Sequence, residues 1–433
     1  MLRIIRAADP RGQERIQQLI DRACVEREVE PQVRAILDAV RRKGDEAVLD
    51  YTCQFDAVTL TARQLKVSDA EKAAAERATA SDVRTAILGA KARIETFHRR
   101  ELRTSWEAEP EPGLRFGQIV RPLDTIGIYV PGGETAYPST VLMNAIPARV
   151  AGVGRIVLVT PPGADGQVNA YVLLAAACCG IEEIYRIGGA QAIGALAYGT
   201  ETIPRVDKII GPGNVYVNVA KRLVFGVVGI DSLAGPSEVV VLAEEGADPV
   251  LVAADLLSQA EHDRLATAVL VTPSHILAQA VAKEVACQVQ SLSRADVIVE
   301  ALKMHGAIIL VESLDQGIDM VNRLAPEHLG VLVEQSDAAI SRLRNVGMIL
   351  VGGSTPVALC DYGAGPTHVL PTGGAARFAS PLSVSDCLKH SNLLDVTVAE
   401  GRSLAKSLEP LARIEGFTAH AAAMRRRKEL GNG

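Results

Sequence analysis

From residue 121 onward, the chain alternates short apolar runs with helical stretches, and the first of these runs end in glycine or proline turns. The runs RIVLVTPP at 155–162, EIYRIGG at 183–189 and KIIGPGN at 208–214 have the length and composition of buried strands. Between them we predict helices at 170–179 and 190–198. Strand, helix and strand in this order predict βαβ units and therefore a parallel sheet.

A second series of the same units begins with EVVVLAEE at 238–245. It continues with TAVLVTP at 267–273, GAIILV at 306–311 and HLGVLVE at 328–334. A chain of 433 residues is too long to fold around one ordinary hydrophobic core. The two series therefore predict an α/β protein with two parallel-sheet domains. Helical segments are expected at both ends of the chain.

Composition excludes several classes of function. A net charge of −6 and 3% aromatic residues give neither the basic surface nor the stacking side chains of a nucleic-acid-binding protein. Seven cysteines without a CxxC pair predict neither a disulfide framework nor a thiolate zinc site. No apolar run is long enough to span a membrane, and the first residues, MLRIIRAADP, lack the apolar core of a signal peptide. We therefore expect a cytoplasmic protein.

The stretch LLSQAEHDR at 256–264 places an amide and an imidazole near the end of a predicted helix. Asp248 and Pro249 form a typical helix start, and Asp255, Gln259 and His262 then recur on one helix face. A solvated polar face and half of a metal site explain this pattern equally well.

Three further stretches concentrate polar groups that the fold does not need. They are RLAPEHLG with Glu327 and His328, the long aperiodic stretch at 361–380 with Asp361 and His368, and IEGFTAHAAAM with Glu415 and His420. Without cysteine, zinc takes nitrogen and oxygen ligands, which Gln259, His262, Asp361 and His420 could supply. A glutamate next to a histidine suits general acid–base catalysis, although a structural hydrogen-bonding role is as well supported.

Glu327 and His328 can act together only if they lie in the turn before a strand, because adjacent strand residues point to opposite faces. Glycine turns at 188–189 and 211–214 follow strands and precede helices, as phosphate-binding turns do. The dinucleotide fingerprint GxGxxG is absent, and glycine also serves tight turns for steric reasons alone. Nucleotide binding therefore stays open on this evidence.

Taken together, six motifs resemble the histidinol dehydrogenase family. They are RIGGAQAIGALAYGTETIPRVDKIIGPGN, LAGPSE, LLSQAEHD, NRLAPEHL, DYGAGPTHVLPT and EGFTAHA, in order across nearly the whole chain. The resemblance implies oxidation of L-histidinol through the aldehyde to L-histidine, with one zinc ion per subunit and two molecules of NAD.

The resemblance also assigns roles to individual residues. Gln259, His262, Asp361 and His420 would bind zinc and, with His328, also contact the substrate. Glu327 and His328 would be the catalytic acid–base pair. Further substrate contacts would come from Ser237, His368 and Glu415, and NAD contacts from Tyr129, Gln191 and Asn214. Thr367 and Cys387 depart from the family pattern, which has asparagine and an aromatic residue there.

For the fold, the resemblance implies two incomplete Rossmann-like domains and a homodimer with shared active sites. The domains would be 30–126 with 238–380, and 127–237. A helical segment at 1–29 would precede them, and a helical tail at 381–433 would cross to the partner subunit.

Three alternatives remain at this point. The chain could oxidise a different small alcohol, act as a zinc hydrolase, or bind metal without catalysis. His368 and Glu415 favour a substrate with an imidazole and an amine. Glu327 and His328 argue against an idle scaffold, because a structural zinc site needs neither.

Overall fold

The computed structural model describes residues 2–21, 26–132 and 135–428. Two parallel sheets form the framework of this part of the chain. The strands are β1 (Ile4–Arg6), β2 (Trp106–Glu111), β3 (Leu114–Pro122), β4 (Thr125–Tyr129), β5 (Arg155–Thr160), β6 (Glu183–Arg186), β7 (Lys208–Ile210), β8 (Gly229–Ile230), β9 (Glu238–Ala243), β10 (Thr267–Thr272), β11 (Ala307–Leu310), β12 (His328–Leu332), β13 (Met348–Val351) and β14 (Leu388–Val396).

The helices cover both sheets and both ends of the chain. They are α1 (Pro10–Ile20), α2 (Glu26–Lys43), α3 (Asp45–Asp56), α4 (Ala62–Leu65), α5 (Asp69–Ala78), α6 (Ser81–His98), α7 (Pro138–Ala151), α8 (Ala170–Cys178), α9 (Gly189–Tyr198), α10 (Val215–Val224), α11 (Pro249–Ala260), α12 (His275–Gln288), α13 (Ala295–His305), α14 (Leu314–Leu324), α15 (Ser336–Ile340), α16 (Val357–Tyr362), α17 (Val398–Ile414) and α18 (Thr418–Lys428).

A six-stranded sheet in the order β1-β11-β10-β9-β12-β13 is parallel throughout. Every residue of β9 and β10 is buried, as expected for strands covered on both faces. Helix α11 begins at the predicted Asp248, whose side chain accepts a hydrogen bond from the N–H of Val250. Its Leu256 and Leu257 pack into the core of this sheet, and each buried leucine contributes about 1.5–3 kcal/mol.

A five-stranded parallel sheet has the order β6-β5-β4-β7-β8. The chain moves from β4 outward to β5 and β6, and then returns to the other side of β4 to form β7 and β8. The strand order therefore reverses between β4 and β7. In open α/β sheets, ligands bind outside the carboxyl ends of the strands at such a reversal.

The predicted α/β class with two parallel sheets and helical ends is confirmed. Helix α2 packs through Val33, Ile36 and Val40 into the same core as Ile193 and Leu196 of α9. This N-terminal helix thus covers the five-stranded sheet. The predicted domain boundaries, which join 30–126 to 238–380, stay a prediction.

Residue contacts divide the chain into two units. The larger comprises Met1–Glu101 and Asp124–Cys387, and the smaller comprises Leu102–Leu123 and Leu388–Gly433. Within the smaller unit, β14-β3-β2 form an antiparallel sheet that the sequence did not predict, followed by α17 and α18. Glu409 of α17 accepts hydrogen bonds from Arg425, at 2.9 Å, and from Lys428, so the basic last turn of α18 is tied to α17.

Two predictions from composition can be compared with the structure. Among the described residues, no helix is both long and apolar enough to cross a membrane. Six cysteines of the described ranges are free, as predicted, and Cys24 lies outside those ranges.

Candidate active site

The predicted acid–base pair lies where two neighbouring strands of the six-stranded sheet begin. His328 is the first residue of β12, and Glu327 precedes the strand, as joint action of the two side chains requires. Their side chains approach to 3.6 Å between Nδ1 of His328 and Oε2 of Glu327. Both side chains are buried. The pair therefore sits at the amino end of the sheet, and its groups are largely removed from water.

Backbone groups of Glu238, the first residue of β9, hold both members of the pair. The N–H of Glu238 donates to Oε2 of Glu327 at 2.7 Å, and the carbonyl oxygen of Glu238 lies 3.2 Å from Nδ1 of His328. Because a carbonyl only accepts, Nδ1 carries the hydrogen and Nε2 of the neutral ring holds the lone pair. In the described part of the chain, Nε2 has no hydrogen-bond partner.

Burial and the neighbouring charges shift the pKa of His328 in opposite directions. Burial lowers the pKa of His328, but the carboxylates of Glu327 and Asp361 outweigh it and hold the pKa well above its usual value. Oδ1 of Asp361 lies 3.8 Å from Nε2 of His328. The two carboxylates thus stabilise the imidazolium that forms when His328 accepts a proton.

Asp361 and His368 come together through the backbone. The carbonyl oxygen of Asp361 lies 2.9 Å from Nδ1 of His368, and Oγ1 of Thr140 lies 3.3 Å from Nε2. Burial lowers the pKa of His368. The prediction of an aperiodic stretch beginning at 361 was wrong at its start, because Asp361 belongs to the last turn of helix α16, which ends at Gly363 in a left-handed conformation.

Gln259 lies in the last turn of α11 with only 1% of its surface exposed. Within the described residues, neither its amide oxygen nor its amide nitrogen has a hydrogen-bond partner. A buried polar group left unpaired costs about 1–3 kcal/mol, so a partner for this amide would stabilise the site. His262 follows the helix end, exposed, with Nδ1 3.3 Å from Oγ of Ser237.

The donor chemistry of these residues fits zinc, which takes imidazole nitrogen and carboxylate oxygen and, more rarely, amide oxygen. The unpartnered amide of Gln259 is the structural observation that supports this fit. No group of three or more histidine, cysteine, aspartate or glutamate side chains is close enough together to hold a metal ion among the residues described for this chain. Gln259, His262 and Asp361 alone would leave the four-ligand set of zinc incomplete.

The remaining predicted residues of the zinc and substrate site lie in the smaller unit. Glu415 is the residue at the end of helix α17, and His420 belongs to α18. Both are exposed, and the ring of His420 lies 5.1 Å from that of Phe417.

The predicted cofactor residues gather near the reversal point of the five-stranded sheet. Tyr129 ends β4, and its hydroxyl oxygen accepts a hydrogen bond from the N–H of Gly189 at 3.1 Å. Burial raises the pKa of Tyr129 to about 12, so the hydroxyl stays protonated at neutral pH. Gln191 is buried, and its Oε1 lacks a hydrogen-bond partner within the described ranges. Asn214 caps α10 by accepting the N–H of Val217.

The glycine turns beside these residues are packed tightly against the protein. A Cβ atom on Gly188 would lie 2.6 Å from Cβ of Pro161, and one on Gly211 would lie 2.2 Å from the carbonyl oxygen of Tyr129. Helix α9 starts after Gly188 without a side-chain cap, and the N–H of Gly189, its first residue, donates to the hydroxyl of Tyr129. These distances support the steric role of the glycines, and phosphate binding by the turns stays a prediction. The buried Oε1 of Gln191, without a hydrogen-bond partner among the described residues, is the observation that fits a bound cofactor.

Two residues of the site were missed from the sequence. Glu238 is 2% exposed, and its carboxylate accepts the N–H of Gly373 at 2.9 Å. Thr140 contacts His368 from helix α7. The motif LAGPSE contains Glu238, but only the pairing of β9 with β12 brings it against Glu327.

The chain resembles known proteins over nearly its full length. The family model described as histidinol dehydrogenase matches residues 21–428. A histidinol dehydrogenase from a Synechococcus species is 51% identical over 409 residues, which is 94% of each chain. One from Geobacillus kaustophilus is 50% identical over 413 residues, covering 95% of this chain and 97% of the relative. The crystal structure of histidinol dehydrogenase from Elizabethkingia anophelis superimposes with a TM-score of 0.94 at 34% identity, covering 100% of this chain and 99% of that one.

Proposed function

Because this chain belongs to the histidinol dehydrogenase family, we propose that it oxidises L-histidinol through L-histidinal to L-histidine, with NAD as oxidant and one zinc ion per subunit. The reaction would be the last step of histidine biosynthesis. The observation that carries the proposal is the buried pair Glu327–His328 next to Asp361, within a family match that spans residues 21–428. A cytoplasmic location stays a prediction.

Zinc would be held by Gln259, His262 and Asp361, and by His420 of the partner subunit. Bound zinc supplies a positive charge that holds the neutral imidazole and amine of the substrate. The amide of Gln259 is a neutral ligand, so the site keeps more positive charge than a second carboxylate would leave.

The substrate would contact Ser237, His368 and Glu415 in addition to the zinc ligands. A carboxylate at Glu415 complements the substrate amine, and the carbonyl oxygen of Asp361, 2.9 Å from Nδ1 of His368, fixes the ring of His368. These contacts favour an amino alcohol with an imidazole over a purely anionic alcohol.

In the first oxidation, Nε2 of His328 accepts the proton of the substrate hydroxyl. The carbonyl of Glu238 keeps Nδ1 as the donor, and the carboxylates of Glu327 and Asp361 stabilise the imidazolium that results. Bound NAD supplies the acceptor for the hydride that leaves the carbinol carbon. Tyr129, Gln191 and Asn214 would position that cofactor at the reversal point of the five-stranded sheet.

In the second oxidation, Glu327 activates a water molecule that adds to the aldehyde. Once the first proton has left His328 and fresh NAD has replaced NADH, His328 takes a proton from the hydrate as the second hydride leaves to NAD. The 3.6 Å approach of the two side chains lets one pair serve both steps. Burial of the pair keeps the reactive aldehyde away from bulk water.

We further infer a homodimer in which each C-terminal tail completes the partner's site. The tail carries Glu415 and His420 beside an apolar surface, since Leu411, Ile414 and Phe417 are 53%, 81% and 54% exposed. Apolar side chains exposed to this extent favour burial against another chain.

The stoichiometry of NADH per substrate tests the proposed function. With limiting L-histidinol, absorbance at 340 nm should reach two NADH per substrate, since a four-electron oxidation needs two two-electron acceptors, and L-histidine should be the product. An amino alcohol without the imidazole should turn over far more slowly. Faster oxidation of that alcohol would indicate a different dehydrogenase, and the absence of NADH with either substrate would contradict the proposal.

A further inference from the structure

A buried ion pair lies beside the turn at 211–214, outside the acid–base site. Lys221 of helix α10 and Asp231, which follows β8, have side chains that are 1% and 4% exposed, and Nζ of Lys221 contacts Oδ1 of Asp231. Removing two charges from water costs more free energy than the pair returns, unless further hydrogen bonds complete it. The partners that complete this pair are therefore the point of interest.

Both members of the ion pair form hydrogen bonds with the backbone of Gly211. Nζ of Lys221 donates to the carbonyl oxygen of Gly211 at 2.9 Å, while the N–H of Gly211 donates to Oδ2 of Asp231 at 2.8 Å. Both polar groups of Gly211 are thus held by one ion pair. Charge-assisted hydrogen bonds are about twice as strong as neutral ones, so the pair fixes this backbone firmly.

Gly211 needs such support because its conformation is unusual. Its φ is +112°, and a Cβ atom would lie 2.2 Å from the carbonyl oxygen of Tyr129. The turn therefore lies directly on the end of β4, at the reversal point of the sheet, and leads to Asn214 at the start of α10. A small shift of Gly211 would therefore displace the residues that follow it in the turn, including Asn214.

The same helix also reaches the segment that leads to the second sheet. The amide nitrogen of Asn218 donates to the carbonyl oxygen of Ala234, and the N–H of Asp231 donates to that of Ile209 at 3.2 Å. The segment that begins at Asp231 ends at Ser237 and Glu238, next to the acid–base pair. Helix α10 thus ties the turn at 211–214 to the segment at 231–237.

We propose that Lys221 and Asp231 are positioning residues, which set the turn at 211–214 for the dinucleotide and hold it in register with the segment that carries Ser237. This inference rests on the proposed function, since it takes the turn to be a cofactor contact. Neither side chain is expected to touch the cofactor or the substrate.

The test separates positioning from stability with three variants, Lys221→Met, Asp231→Val and the double variant. Each single change leaves one buried charge unpaired and should lower the Tm. The double change removes both charges but also the two hydrogen bonds to Gly211, and should recover part of the Tm. In all three, the Kd and the KM for NAD should rise about tenfold while kcat changes less than about threefold. Calorimetric titration with NAD, at a temperature well below the Tm of each variant, measures the Kd independently of turnover.

Asp45→Asn is the matched control. The Asp45 carboxylate is also buried in the larger unit, where it accepts hydrogen bonds from the hydroxyl groups of Thr200 and Thr202. This variant should lose Tm without a change in the Kd for NAD. A double variant with recovered Tm and wild-type Kd would overturn the positioning role. Wild-type protein that binds no NAD would overturn the proposed function as well, so the two failures are distinguishable.

Discussion

The burial of Gln259 distinguishes two interpretations that residue spacing alone could not separate. The recurrence of polar residues on α11 fitted a solvated face as well as a metal site. With 1% exposure and no hydrogen bond to either amide atom within the described residues, Gln259 is not part of a solvated face. The contact of Glu238 with Glu327 was beyond sequence reasoning, because no local pattern states that β9 and β12 are neighbours.

We predict that His262→Ala and Asp361→Ala each lose zinc and activity together. Each substitution removes one of four proposed ligands, so the loss of zinc affinity should exceed the roughly 10–100-fold typical of outer-shell partners. Elemental analysis of the purified proteins measures the zinc. His275→Ala, at an exposed histidine, should keep both zinc and activity. Full zinc in both variants would refute the ligand assignment.

We predict that Glu327→Gln slows oxidation of supplied L-histidinal about 10²–10⁴-fold but slows the alcohol step less than about tenfold. Only the second step needs an activated water, and the glutamine oxygen can still accept the N–H of Glu238. Stopped-flow absorbance at 340 nm resolves the two half-reactions. Equal losses in both would show that Glu327 does not have the separate role proposed for it.

At the scale of elements, local sequence predicted the long and buried pieces and missed the short and exposed ones. Strands β9 and β10 and helix α11 followed directly from apolar runs and a capping aspartate. Helix α16 was missed because it is six residues long and has no side-chain cap. Strand β2, WEAEPE, was missed because every one of its residues is exposed, so it shows no apolar alternation.

The end of α3 contains a destabilising carboxyl group whose effect depends on pH. Burial raises the pKa of Asp56 from 3.8 to about 6, and the residue lies at the negative end of the helix dipole. Because the folded pKa lies above the unfolded one, the stability of the fold decreases as pH rises from about 4 to about 6. The shift corresponds to about 3 kcal/mol, which solvent screening of this half-buried group reduces to about 1 kcal/mol.

We predict that Asp56→Asn raises the Tm of the cofactor-free protein by about 2 °C at pH 8, with a gain that shrinks toward zero as the pH approaches 4. Thermal unfolding across this pH range measures the effect. Asp50→Asn, at an exposed position of the same helix, should show no such pH dependence. A gain for Asp56→Asn that is equal at pH 4 and pH 8 would show that ionisation is not the cause.

At the scale of the whole molecule, the sequence predicted two parallel sheets. The resemblance to a family supplied the proposed function and site residues, which hydrophobic periodicity does not reveal. The order β6-β5-β4-β7-β8 and the packing of α2 on that sheet depend on contacts between distant segments. The proposed zinc site needs a fourth ligand beyond Gln259, His262 and Asp361, and the proposed source is His420 of the partner subunit.

The most direct test of a site built from two chains is complementation between His262→Ala and His420→Ala. Each homodimer should be inactive, since every site lacks one ligand. In a mixed dimer, one site collects both lesions and the other has none, so about half of the wild-type activity per mixed dimer should return. Purification with two different affinity tags isolates the mixed species. Mixed dimers that are demonstrably present but inactive would contradict the account, because both ligands would then have to come from one chain.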